Sequence, residues 1–162
     1  MMLLASHKNF GFTLIELLVA LVLLALITSA AAPVMQLSAK RNKEQELKKS
    51  LWQIRDAIDA YKQAVDDGLI KKSLGETGYP ANLNVLVTGV ENRQDPNKKK
   101  IVFLRQIPRD PFATDETLTA DATWAKRSYV STFDAPSEGD DVYDVHSFSH
   151  QIGINQQPYS EW

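Results

Sequence analysis

The stretch FTLIELLVALVLLALITSAAA at residues 12–32 decides how this chain folds, because its 21 residues carry a single charge, that of Glu16. As an α-helix the stretch would be about 32 Å long, which is enough to cross the hydrocarbon core of a bilayer. Its twelve Phe, Leu, Ile and Val residues contribute roughly 4–7 kcal/mol toward insertion, whereas one carboxylate at mid-membrane costs about 3 kcal/mol. The balance favours a transmembrane helix.

Two ordinary interpretations of this stretch each leave something unexplained. A cleaved secretory signal would account for the small residues at 29–32, but Pro33 follows them directly. A plain single-pass anchor would account for the apolar run and leaves Glu16 without a role.

The flanking charges add a conflict, because Lys8 alone precedes the span while five basic residues follow it within residues 40–49. The positive-inside rule therefore predicts a cytoplasmic C-terminal domain.

The helical pattern continues beyond Pro33, since no glycine occurs between that proline and Gly68, the predicted stop. We predict one helix over residues 12–67, with its transmembrane half at 12–33 and a kink at Pro33, whose ring removes a backbone hydrogen-bond donor. Over residues 47–65 the apolar side chains recur at intervals of four and three, which places them on one face. This stripe consists of Leu47, Leu51, Ile54, Ile58, Tyr61 and Val65.

The second half of the helix is therefore expected to be amphipathic. Glu44 and Lys48, spaced i,i+4, are predicted to pair on its polar face. The apolar stripe is predicted to pack against the domain that follows, and a coiled-coil partner is the alternative. In either case one face of the helix needs to be covered.

Beyond Gly68, short apolar runs alternate with Gly, Pro and Asp, which indicates a small loop-rich domain at residues 68–162. Residues 82–87 fit a short helix and a strand equally well. Residues 128–133 and 142–148 are rich in strand-favouring side chains, and we expect them to form an antiparallel hairpin. A small sheet packed on the helix would give an α+β fold.

Charge and composition exclude several classes of function. The chain carries 18 basic and 20 acidic side chains, so it lacks the basic excess of nucleic-acid-binding proteins. It has no cysteine, which excludes disulfides and thiolate metal sites. No nucleophile elbow, phosphate loop or zinc-helix motif occurs, so the sequence predicts no enzyme.

Two other groups of side chains are interpreted as structural. His146 and His150 are spaced i,i+4, but the surrounding pattern predicts a strand and its exit, not a zinc-binding helix. Six aromatic residues of the domain are predicted to pack rather than to bind a ligand. They are Trp124, Phe133, Tyr143, Phe148, Tyr159 and Trp162.

The residues GFTLIE at 11–16 resemble the processing signature of type IV pilins and of the pseudopilins of type II secretion. The resemblance implies that residues 1–11 are a leader, that a prepilin peptidase cuts between Gly11 and Phe12, and that the new amine of Phe12 is methylated. It also implies the type IV pilin-like fold, in which a long N-terminal helix packs against a small antiparallel sheet. The protein would be a single-pass subunit of the bacterial inner membrane with its C-terminal domain in the periplasm, against the positive-inside count.

Within this resemblance, Glu16 becomes the fifth residue of the mature chain. A carboxylate kept in an apolar segment is costly alone, so its expected partner is the amine of Phe12 on a neighbouring subunit. In a low dielectric the two charges attract strongly, which would set the axial register as subunits stack into a filament. Phe12 and Glu16 are thus the predicted assembly residues, and the alternative is that Glu16 faces the interior of some other helix bundle.

Further landmarks at residues 78–80, 83–87, 107–112 and 141–147 resemble, in order, those of the major, or G-type, pseudopilins of type II secretion. This resemblance implies a structural subunit of a periplasmic pseudopilus that supports secretion as a homo-oligomeric filament. The implied partners are the minor pseudopilins, an inner-membrane assembly platform and its ATPase. The alternatives are a structural or minor subunit of a type IV pilus, for adhesion, motility or DNA uptake, and a plain membrane-anchored binding module.

The G-type resemblance also implies a calcium ion in the C-terminal loop, held by carboxylates and backbone carbonyls. At 149–151 and 155–157 this chain has neutral residues where carboxylates are expected. The sequence therefore assigns no calcium ligands and leaves metal binding open. An earlier acidic group is expected to be a solvated turn and is the best remaining metal candidate. It comprises Glu138, Asp140, Asp141 and Asp144.

Overall fold

A computed structural model describes residues 11–162, apart from the side chains of residues 30–32. The chain divides into two compact units, one ending at Lys40 and the other comprising Arg41–Trp162. The helices are α1 (Leu14–Asp66) and α2 (Leu83–Thr88), with short 3₁₀ turns at Asp121–Thr123 and Tyr159–Glu161. The strands are β1 (Val90–Glu91), β2 (Lys100–Ile101), β3 (Trp124–Arg127) and β4 (Asp144–Ser147).

The first unit contains the apolar half of α1. Among the described residues, this helix is long and apolar enough to cross a membrane, and none of its most apolar window is buried. Pro33 lies inside α1, with helical residues on both sides. The long N-terminal helix predicted from the sequence is confirmed, while a kink at Pro33 stays a prediction.

The C-terminal end of α1 is closed by Gly68, as the sequence predicts. Gly68 has a φ of 73°, in the left-handed region that favours glycine. Its N–H donates to the carbonyl of Val65 at 3.0 Å, and the N–H of Leu69 donates to the carbonyl of Ala64 at 2.9 Å. This pair of bonds is the Schellman motif, which satisfies carbonyls that would otherwise lack partners.

The core of the second unit forms along the predicted apolar stripe of α1. Leu47, Leu51, Ile54 and Ile58 are each at most 2% exposed. Full burial of such side chains contributes about 1.5–3 kcal/mol each. The packing of the stripe against the domain is therefore confirmed. The stripe is covered by Leu83, Leu86, Trp124, Val142, Val145 and Tyr159.

Residues 82–87, which fitted two structures, contribute to α2. Asn82 precedes the helix and its Oδ1 accepts the N–H of Val85 at 3.1 Å. Gly89 ends it with a φ of 72°. The cap residues at both ends make hydrogen bonds to the backbone of α2, and Leu83 and Leu86 are buried on one face. The segment therefore forms a helix and not a strand.

The small antiparallel sheet is present as two separate pairs, β1 with β2 and β3 with β4. Residues 142–148 contain β4 as predicted, but the prediction of a strand at residues 128–133 is wrong, because β4 pairs with β3, which ends before that segment. Burial explains the difference. Trp124 at the start of β3 is fully buried, whereas Val130 and Phe133 are 82% and 72% exposed.

The predicted pairing of Glu44 with Lys48 is also wrong. Glu44 is buried, and its Oε1 accepts the hydroxyl of Tyr159 at 2.9 Å and the N–H of Ile154 at 2.8 Å. Lys48 instead places its Nζ 4.6 Å from the ring centroid of Trp162. The two hydrogen bonds offset the cost of burying the carboxylate and tie α1 to the C-terminal segment of the domain.

We expect the protein to lose stability in alkaline solution because of Tyr159. Burial, followed by its hydrogen bond to Glu44, raises the pKa of Tyr159 to about 12. The unfolded chain releases this proton near pH 10, so the contribution of Tyr159 to the free energy of unfolding is complete below about pH 10 and is lost toward about pH 12. Tyr61 and Tyr79, whose pKa values are also raised by burial, add to the same trend.

Chemical denaturation of the full chain in detergent, repeated across this pH range, checks the prediction. Tyr159→Phe should cost about 1 kcal/mol at neutral pH and show a shallower alkaline fall than wild type. Tyr129→Phe, at an exposed ring, is the matched control. An alkaline fall that is as steep in Tyr159→Phe as in wild type would contradict this role of the phenol.

Candidate functional site

The start of α1 is closed by a reciprocal set of hydrogen bonds between Thr13 and Glu16. The N–H and the hydroxyl of Thr13 both donate to Glu16 Oε2, at 2.9 and 2.8 Å. The N–H of Glu16 donates back to Thr13 Oγ1 at 3.3 Å. Thr13 directly precedes the first helical residue, so this is a capping box, in which Thr and Glu satisfy donors at the helix start.

The capping box shows how the carboxylate of Glu16 is held. One oxygen, Oε2, accepts two hydrogen bonds from Thr13, while Oε1 accepts none from residues 11–162. The N-terminal end of the helix dipole also favours a negative charge here. Sequence reasoning identified Glu16 but missed Thr13, although the spacing Thr-x-x-Glu before an apolar run is a readable capping signal.

The predicted cleavage site lies just outside the helix. Gly11 and Phe12 precede α1 in non-helical backbone, and Phe12 is 89% exposed. Exposed, non-helical backbone is the kind of segment that a peptidase can reach. Apart from Gly11, the predicted leader at residues 1–11 lies outside the described residues. Cleavage and methylation at these positions stay predictions.

The landmark at residues 107–112 is held together around a buried carboxylate. Asp110 is 2% exposed, and its Oδ2 accepts the hydroxyl of Ser147 at 2.6 Å. Its Oδ1 accepts the N–H of Phe112 at 2.8 Å, and its own N–H donates to Thr123 Oγ1 at 3.2 Å. Asp110 therefore links this turn to β4, which carries Ser147.

The landmarks at residues 78–80 and 141–147 are also in contact. The N–H of Val142 donates to the carbonyl of Pro80 at 2.8 Å. The ring of Tyr79 lies edge to face with Tyr143, with centroids 5.0 Å apart, and stacks on Tyr129 at 5.4 Å. These two segments, which have the composition of loops, thus contact each other and hold the domain together.

Two of the four candidate metal carboxylates already have partners within the chain. Asp141 accepts the hydroxyl of Thr77. Asp144 forms two ion pairs: its Oδ1 lies 2.8 Å from Arg55 Nε, and its Oδ2 lies 3.4 Å from Arg127 Nη2. Within residues 11–162 no three His, Asp or Glu side chains form a group that could hold a metal ion.

The C-terminal loop lacks the carboxylates that the resemblance implies for a calcium site. His146 lies on β4 and His150 follows it, which confirms the predicted strand and exit. The loop beyond β4 offers hydroxyl, amide and imidazole groups instead of carboxylates, and Asn155 Oδ1 accepts the N–H of Gln157 at 3.2 Å. Calcium binding stays an untested prediction.

The predicted packing of the aromatic residues is correct only in part. Trp124 and Tyr159 are fully buried, but Phe133 and Phe148 are 72% and 59% exposed, so the prediction is wrong for these two. Phe148 directly follows the buried Ser147 at the end of β4. Because side chains alternate between the two faces of a strand, Phe148 faces away from the core. Phe133 lies in the segment that forms no strand.

Comparison with known proteins gives a family motif and three relatives. Residues 6–32 match the prokaryotic N-terminal methylation motif. The chain is 26% identical over 112 residues to the type II secretion system core protein G of Vibrio cholerae, covering 67% of this chain and 69% of that protein. The proteins of the same name from Pectobacterium carotovorum and Escherichia coli are 26% and 25% identical over 118 residues, covering 70% of this chain and 69% and 74% of theirs. No solved structure matches.

Removing the hydroxyl of Thr13 should weaken the first turn of α1. Thr13→Val loses the group that both donates to Glu16 and accepts from the Glu16 N–H, at a cost of about 1 kcal/mol. Exchange of the Glu16 amide hydrogen, measured by NMR on the full chain in detergent, should accelerate roughly fivefold. Thr13→Ser keeps the hydroxyl and should exchange as wild type does. Equal rates in Thr13→Val and wild type would show that no capping box forms.

Proposed function

We propose that this chain is a structural subunit of a pseudopilus. Its resemblance to the major pseudopilins of type II secretion is confirmed by the family motif and the three relatives. Its role is to assemble through the N-terminal helix into a filament that supports protein secretion. The observation that carries the proposal is the carboxylate of Glu16. It lies at the start of an exposed apolar helix, and one of its oxygens accepts no hydrogen bond from residues 11–162.

Processing creates the partner for that oxygen. Before cleavage the nitrogen of Phe12 is part of an uncharged peptide bond to Gly11. After a prepilin peptidase cuts this bond and Phe12 is methylated, the same nitrogen is a cationic amine at the end of the chain. The leader, residues 1–11, therefore keeps the subunit from presenting its amine until it is in the membrane.

The amine of Phe12 then pairs with Glu16 of a neighbouring subunit. In a low dielectric an unpaired carboxylate and an unpaired amine are both costly, so the pair favours subunits that stack with one axial offset. Because each subunit gives an amine to one neighbour and a carboxylate to another, the contact is heterologous and propagates into a filament. A kink at Pro33 would let α1 adjust its direction between neighbours.

The exposed apolar half of α1 anchors the stored subunit in a membrane. We place it in the bacterial inner membrane, with the unit Arg41–Trp162 in the periplasm. The proposed partners are other copies of this chain, the prepilin peptidase, the minor pseudopilins, and an inner-membrane assembly platform with its ATPase. The chain supplies structure in this proposal and catalyses no reaction.

Removing the charge of Glu16 should separate insertion from assembly. Glu16→Gln is expected to be inserted and cleaved as wild type is, while the yield of filaments recovered from the periplasm falls at least about tenfold, since the attraction to the Phe12 amine is lost. Glu46→Gln, at an exposed position farther along α1, is the control. Unchanged filament yield in Glu16→Gln would refute the charge pairing.

Deletion of the gene should abolish secretion of folded substrates, and expression of the intact chain should restore it. Activity of a secreted enzyme in the culture medium measures this outcome. Loss of surface fibres with normal secretion would instead identify a subunit of a type IV pilus.

A further inference from the structure

Residues 149–162 follow β4 and pack against one face of α1, and we refer to them as the C-terminal segment. The helix positions 44, 48 and 55 are separated by four and seven residues, so they lie within about 40° of one another around the helix axis. They carry Glu44, Lys48 and Arg55. We call these three side chains the α1 clamp, because each of them contacts the C-terminal segment.

Glu44 holds the middle of the C-terminal segment. Its Oε1 accepts the N–H of Ile154 at 2.8 Å and the hydroxyl of Tyr159 at 2.9 Å. Glu44 and Tyr159 are both buried. Hydrogen bonds to an ionised group are stronger than those between neutral groups, and they strengthen further away from water. One carboxylate thus fixes a backbone position and a side-chain position of the segment.

Arg55 and Lys48 hold the end of the segment. Arg55 Nη2 donates to the backbone oxygen of Trp162 at 2.7 Å and to that of Val145 at 3.0 Å, so one guanidinium joins the segment to β4. Its Nε lies 2.8 Å from Asp144 Oδ1, which fixes the orientation of the guanidinium. Lys48 Nζ lies 4.6 Å from the ring centroid of Trp162, in a cation–π contact. Positive charge at this part of the segment therefore comes from α1.

The C-terminal segment also forms a turn that is closed by its own polar groups. The N–H of Gly153 donates to the carbonyl of Gln157 at 2.8 Å, and Asn155 Oδ1 accepts the N–H of Gln157 at 3.2 Å. A Cβ at Gly153 would lie 2.7 Å from Trp162 Cζ2, so the turn is packed as closely as a glycine permits. These hydrogen bonds use carbonyl and amide oxygens that would otherwise be available as ligands to a cation.

The charge of the segment differs from that of a calcium site. Calcium takes about six to eight oxygen ligands, and its affinity depends on how many of them are charged. The segment contains one carboxylate, that of Glu161, which is exposed. By contrast, two of the three groups of the α1 clamp are cations, and they would repel a calcium ion bound near Trp162. The C-terminal segment is therefore better suited to the α1 clamp than to a divalent cation.

We propose that the α1 clamp holds the C-terminal segment in its folded form without a metal ion. The G-type resemblance implies a calcium ion in this part of the chain, and here the side chains of α1 bind the segment instead. The fold of the segment is then independent of calcium. The assembly of the subunit is independent of calcium as well, a statement that rests on the proposed function.

Hydrogen exchange of the full chain in detergent tests the metal-free fold. The amides of the C-terminal segment, followed by NMR, should exchange at rates that agree within about twofold in EDTA and in calcium. Calcium at about 5 mM exceeds the Kd of about 0.1–1 mM that is typical of extracellular calcium modules. A bound ion would therefore slow exchange about sixfold or more. Slowing beyond twofold by calcium, and not by magnesium at the same concentration, would overturn the proposal.

Removing the guanidinium of the α1 clamp should release the segment. Arg55→Met loses the bond to Trp162 and should speed exchange of the segment at least about tenfold, equally in EDTA and in calcium. Lys49→Met, which removes a positive charge at an exposed position of α1, should exchange as wild type does. Glu44→Gln keeps an acceptor oxygen and should speed exchange of the Ile154 amide about threefold, so the test stands even if Arg55→Met does not fold. Wild-type rates in both clamp variants, or wild-type rates restored to Arg55→Met by calcium, would overturn the proposal.

Filament yield in cells grown with and without calcium tests the consequence for assembly. The yield from the wild-type chain should agree within about twofold between medium with a calcium chelator and medium with added calcium. A larger fall on depletion would overturn the calcium independence of assembly. A chain that stays uncleaved and forms no filaments in either medium would refute the proposed function instead, while the exchange rates in detergent still decide how the segment is held.

Discussion

The carboxylate of Glu16 at the beginning of an apolar helix is the constraint from which the arrangement of the N-terminal region follows. The apolar residues around it favour insertion strongly enough to carry one charge into the membrane. Thr13 satisfies one carboxylate oxygen, and the other has no hydrogen-bond partner in the part of the chain that the structure describes. In the proposed assembly, the second oxygen is the group that attracts a cation. In that assembly, cleavage supplies the cation at Phe12, which would couple maturation and assembly through a single nitrogen.

The second half of α1 meets a different demand, because it has to form a core with a domain that has little regular structure. Sheets of two strands are marginal on their own. The apolar stripe of α1 provides the surface on which they pack, and buried polar contacts fix the connecting segments. Glu44 holds the C-terminal segment through Tyr159, and Asp110 holds its turn against β4 through Ser147. Each of these carboxylates is buried with its hydrogen bonds made, which is the condition under which a buried polar group stabilises a fold.

The parts of this structure that could be predicted from the sequence are those with a local cause. The α1 helix follows from its apolar run and its spacing of three and four residues, and its end follows from Gly68. The capping box at Thr13 was readable by the same logic. The error at residues 128–133 has a nonlocal cause. That segment has strand-favouring residues, but the strand forms where Trp124 enters the core, and sequence composition does not report which apolar residue does so. The buried state of Glu44 likewise depends on Tyr159, which is far away in the sequence.

The most direct measurement is the intact mass and the N-terminal residue of the protein extracted from its native membrane. The predicted result is a chain that begins at Phe12 and carries one additional methyl group, because that form has the amine that Glu16 requires. A chain that retains residues 1–11 would contradict the proposal, since no free amine would then exist at Phe12. A chain that begins near Pro33 would contradict it equally, because the apolar segment and Glu16 would have been removed.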